Sequence, residues 1–71
     1  MSQSRKLFLL EEIEINYEAL TLFGERVRIY EANDLIDADE LQQMKLFLES
    51  LHRERENLLE ALQELEEEEE N

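Results

Sequence analysis

Along the C-terminal half of the chain, apolar residues return every three or four positions. Leu41, Leu48, Arg55 and Leu62 fall at one heptad position, and Met44, Leu51, Leu58 and Leu65 at the other. This pattern predicts an α-helix over about residues 38–68 that lays a coiled-coil-like seam along a partner helix, with Arg55 as its polar interruption. The N-terminal half predicts a second helix over about 4–32, but it is apolar on more than one side. Leu9, Leu10, Ile13, Tyr17, Leu20, Gly24 and Val27 cluster on one face. Phe8, Ile15, Leu22 and Ile29 recur every seven residues on nearly the opposite face, with Phe23 and Tyr30 between the two. A helix apolar over so much of its circumference needs more than one neighbour.

Residues 33–37, Asn-Asp-Leu-Ile-Asp, separate the helices. Asn33 suits a left-handed residue closing the first helix. Asp37 is a good N-cap for the second, and Glu40 occupies the reciprocal capping-box position three residues on. Ile36 and Leu41 have the spacing of a hydrophobic staple. Asp39 and Glu40 add negative charge at the positive end of the helix dipole.

The fold class expected is all-α: an antiparallel two-helix hairpin in one domain spanning 1–71. Folding back at the turn makes opposed positions sum to about 71. Leu41 then faces Tyr30, Met44 faces Val27, Leu51 faces Leu20, Leu58 faces Ile13 and Leu62 faces Leu9. The expected seam comprises Ile13, Leu20, Val27, Met44, Leu48, Leu51, Arg55, Leu58 and Leu62. Gly24 falls opposite Phe47 and would leave space for its ring. The alternative, that Gly24 breaks the helix and Val27 and Ile29 form a short strand, leaves that strand without a partner. Arg55 would lie near Asn16 and within reach of Glu12, which would compensate a charge in the seam and fix the register. The alternative is that Arg55 snorkels to water.

Composition narrows the means of stabilisation. With 71 residues and no cysteine, disulfides and thiolate metal sites are excluded, so regular helix packing and oligomerisation remain. The absence of proline and the single glycine argue against loop-rich and all-β folds. An apolar fraction of 42% is enough to expect folding over disorder. The apolar run Leu7–Leu10 stops at Glu11, too short for a secretory core or a membrane span, so a cytoplasmic protein is expected.

Charge is unevenly placed. Residues 1–33 hold 4 basic and 6 acidic side chains, net −2, whereas 34–71 hold 3 basic and 14 acidic, net −11. Direct nucleic-acid binding and adsorption to an anionic membrane are both opposed by this. Glu66 to Glu70 sit at the negative end of the helix dipole, so the 66–71 tail is expected to fray. It reads first as a solubility tail and otherwise as a docking segment for a basic surface.

No residue suggests catalysis or a cofactor. His52 lies beside the seam with no second histidine, and a hairpin offers it no pocket. Glu54, Glu56, Glu60 and Glu64 read as a solvated face. Asp34, Asp37 and Asp39 alternate as in a calcium loop but lack its central glycine and closing glutamate. Short acidic hairpins also occur among the aspartyl-phosphate phosphatases of sporulation control. Their Ser-Gln-Glu-Leu-Asp motif is not matched by Phe47-Leu48-Glu49-Ser50-Leu51-His52, and no residue carries over. The expectation is a non-enzymatic adaptor, regulator or co-chaperone that binds a protein partner. It would dimerise into a four-helix bundle through Phe8, Ile15, Leu22 and Ile29, with Leu46 and Leu59 extending the surface. The rival reading is an acidic nucleic-acid mimic that blocks a basic binding site.

Overall fold

The computed structural model describes residues 2–70, with side chains from 4 to 69. Asn71, the last residue of the expected tail, lies outside them. Two helices, α1 (Ser2–Ala32) and α2 (Ala38–Glu70), pack against each other as an antiparallel hairpin. Its principal extents are 52 × 14 × 14 Å. Among the described residues, no helix is long and apolar enough to cross a membrane.

The turn satisfies the helix ends locally. Asn33 N–H donates to Ile29 O (3.1 Å), its side-chain Nδ2 donates to the same carbonyl (2.8 Å), and Leu35 N–H reaches Tyr30 O (3.2 Å). The left-handed residue is Asp34 (φ 53°), not Asn33. Asn33, just past the end of α1, keeps a negative φ while both its N–H and its side-chain amide bond the last turn, and the reversal falls one residue on. The Leu35-to-Tyr30 bond is the long bond of a Schellman motif. Asp37 Oδ1 accepts from Glu40 N–H at 2.9 Å, the N-cap bond that the sequence predicts.

Both helices extend about two residues further than the spacing suggests. The acidic tail stays helical to Glu70. Leu65, only 2% exposed, anchors it, and Lys6 Nζ lies 3.4 Å from Glu69 Oε2 across the hairpin. Packing and this ion pair offset the repulsion among the glutamates.

The seam on α1 follows one of two overlapping lines. Ile13, Leu20 and Val27 belong to both. Choosing Leu10, Tyr17 and Gly24 as their companions would bring Gly24 and Glu31 to α2. The observed companions are Leu9, Asn16, Phe23 and Tyr30, all buried or half-buried, while Leu10 and Tyr17 are exposed. The chosen line brings Phe23 and Tyr30 to the contact in place of Gly24 and Glu31 and gives up Tyr17 for Asn16, a net gain of one aromatic ring.

On α2 the half-buried and buried line is Leu41, Met44, Leu48, Leu51, Leu58, Leu62 and Leu65. Arg55 completes the heptad but its side chain is exposed. Its length lets it leave the interface, and among the described residues it makes no ion pair with Glu12. Asn16 is the polar group inside. It is 3% exposed and donates from Nδ2 to Leu51 O at 3.1 Å.

Phe47 packs edge-on against Phe23, with ring centroids 5.0 Å apart and planes at 69°. It does not fill the space at Gly24. There α1 continues unbroken, and an added Cβ would meet Leu48 Cδ1 at 4.0 Å, an ordinary contact. Gly24 is therefore spared no clash, and it carries the helix penalty of glycine.

Two stability predictions follow from these local findings. Gly24→Ala is expected to stabilise the hairpin by about 1 kcal/mol, raising the melting midpoint by roughly 4–8 °C for a chain of this size. Asp37→Ala removes the cap bond and should destabilise by about 1 kcal/mol. Thermal unfolding followed by circular dichroism checks both.

Candidate protein-interaction surface

The buried core is small. Among the described residues, Val27, Leu51 and Leu65 are its buried apolar side chains, and Asn16 is buried with them. A two-helix contact leaves the rest of each helix in water, and α1 spends much of that remainder on apolar side chains. Phe8 (62%), Ile15 (53%), Leu22 (71%) and Ile29 (45%) are all exposed. Seven-residue spacing keeps them in one line along α1.

This stripe adjoins a shallow depression of about 250 Å³ lined by Ala19, Leu22, Phe23, Arg26, Phe47 and Leu51. Phe47 is half exposed at its rim. The apolar surface therefore passes from α1 onto α2 at one flank of the hairpin. Phe47 stands out in the sequence only as an apolar residue beside the seam. Its place on this flank depends on which line of α1 faces α2.

Leu46 and Leu59 are exposed but do not join the stripe. Lys45 pairs with Glu31 on the opposite flank from Phe47. Leu59, two heptads after Lys45, falls on that opposite flank with Leu10 and Tyr17, and Leu46 falls on the back of α2. A second depression, of about 520 Å³, opens over Gly24 beside Val27, with Arg28, Glu31 and Lys45 around it. The Glu31–Lys45 ion pair gives it a charged edge, in contrast to the aromatic depression.

The remaining polar groups are dispersed. Glu54, Glu56, Glu60, Glu64 and His52 are exposed along α2. Among the described residues, no group of histidine, aspartate and glutamate side chains gathers as metal ligands. Among the described residues, the buried Asn16 Oδ1 has no hydrogen-bond partner. An orphaned buried acceptor costs about 1–3 kcal/mol, so Asn16 is a site where stability is given up. A lone polar residue in a seam is known to fix register, and its amide bond to Leu51 O ties α1 to one place on α2. No protein-family model matches the chain, and no curated protein or solved structure matches it either.

Asn16→Leu is expected to raise the unfolding free energy by about 1 kcal/mol or more, since the orphaned acceptor disappears and an apolar side chain takes its place. Denaturant unfolding measures this. A loss of stability would mean that the Asn16 amide bond outweighs the unpaired Oδ1.

Proposed function

We propose that the chain is a small acidic protein-interaction module without enzymatic activity. It works through the apolar flank of α1 and by self-association, two hairpins forming a four-helix bundle. The observation that supports this most directly is the amount of surface left open. The hairpin exposes 5801 Å², whereas a compact protein of its mass exposes about 4,700 Å². Its radius of gyration is 16.1 Å, against about 11 Å for a compact domain of this length. The difference in area, about 1,100 Å², is similar to the ~800 Å² that each partner buries in a standard interface. Apolar side chains occupy much of the open surface, which is the condition under which association is favourable.

The exposed carboxylates of α2 support a second reading, an acidic mimic that occupies a basic nucleic-acid-binding site. The two readings respond oppositely to salt. Capture of a basic surface weakens as salt is added. Self-association of a chain carrying −13 is opposed by its own charge, and salt screens that repulsion.

Sedimentation across a range of concentrations is the direct test. A concentration-dependent dimer is expected, tighter at 0.5 M than at about 0.05 M salt because the Debye length falls with ionic strength. Leu22→Glu should weaken it by at least about a hundredfold, since each of two copies loses roughly 1.5 kcal/mol or more of leucine burial. Helix content should be retained, because Leu22 is mostly exposed in the hairpin. A monomer at every concentration would remove self-association from the proposal.

A further inference from the structure

We infer that the second copy docks on the α1 flank in an antiparallel sense, with the two-fold axis passing beside Ala19. This rests on the self-association proposed above and adds the face and the orientation. The argument begins with the row beside the apolar stripe. Glu12, Ala19 and Arg26 are spaced by seven residues on each side, so they share one line of α1. Ala19 and Arg26 line the aromatic depression together with Leu22. This row and the stripe therefore form one continuous face.

Reversing that face about Ala19 exchanges the two charges. Antiparallel pairing sets Glu12 of one copy beside Arg26 of the other, and does so at both ends. Parallel pairing sets Glu12 on Glu12 and Arg26 on Arg26, and like charges held together at an interface are strongly disfavoured. Among the described residues, neither Glu12 nor Arg26 has an ion-pair partner within the hairpin. The apolar stripe has the same near-symmetry. Ile15 and Leu22 stand four and three residues from Ala19, and Phe8 and Ile29 eleven and ten. Reversal therefore lays apolar on apolar along the whole line.

Ala19 at the centre is the small residue that lets two helices approach. The partner's segment around Ile15 then lies over the depression floored by Phe23 and Phe47, and covers both rings. The size is also suitable. A flank of 52 × 14 Å is comparable with the ~800 Å² per partner of a stable interface. The flank bearing Leu10, Tyr17 and Leu59 is bordered by a similar row, Glu14, Thr21 and Arg28, but there Arg28 is already paired with Glu25 at 3.1 Å, whereas Arg26 is open to a second copy. The back of α2 carries Arg53, Glu60 and Glu67 around Leu46.

The chain has no cysteine, so oxidative cross-linking of introduced cysteines reports the geometry directly. Positions 12 and 26 lie about 21 Å apart along one helix, far beyond disulfide reach within a chain. The expected results, at a concentration where sedimentation shows dimer, are covalent dimer from the double variant Glu12→Cys/Arg26→Cys and from Ala19→Cys, and none from Glu12→Cys alone. Circular dichroism of each variant verifies that the hairpin is intact. A dimer that cross-links through Glu12→Cys alone overturns the antiparallel orientation and leaves self-association standing. A dimer that cross-links in no variant overturns the α1 face. A chain that sediments as monomer at all concentrations overturns the self-association beneath both.

Discussion

Two helices laid side by side share a single line of contact, and each covers only the part of its partner's circumference that faces it. That geometric limit governs this hairpin, because α1 is apolar along more than one line. Whichever line turns to α2, another is left in water. The exposed Phe8, Ile15, Leu22 and Ile29, the small buried core and the excess of surface over a compact chain of equal mass are three expressions of the same limit. Association would cover the line left in water, and the proposal of an interaction module rests on it.

The same limit makes the choice of line consequential. Turning Leu9, Phe23 and Tyr30 toward α2 half-buries two aromatic rings and carries Asn16 inside with them. Asn16 is short enough to stay there, with one bond to Leu51 O and one acceptor unanswered. Arg55, at a seam position on α2, is long enough to leave. Phe47 closes on Phe23 and so opens a half-exposed aromatic depression on the flank that also bears the stripe. The apolar surface of that flank, the proposed interaction surface, is thus partly made by the packing of the core.

Charge is divided between the helices in a complementary way. The second half of the chain carries net −11 and the first half net −2. Apolar surface is concentrated on the helix with little net charge, where desolvation on association is cheapest. The acidic helix keeps its carboxylates in water, and its last turns hold through Leu65 and Lys6 despite their mutual repulsion.

The amino-acid sequence by itself determined the number of helices, their approximate limits, the Asp37 cap, the seam of α2 and the presence of a second apolar line on α1. These are local or periodic properties, readable because capping and 3.5-residue repeats depend on residues close in the chain. It did not determine which line of α1 faces α2, because Ile13, Leu20 and Val27 belong to both candidates. Nor did it show that Asn16 rather than Arg55 would be the polar group inside, that Asp34 rather than Asn33 would reverse the chain, or that Phe47 would leave Gly24 for Phe23. Those outcomes belong to the tertiary structure. Except for the reversal at Asp34, which is set by bonds within the turn itself, each is a competition between two arrangements of similar local merit, decided by what the opposing helix buries.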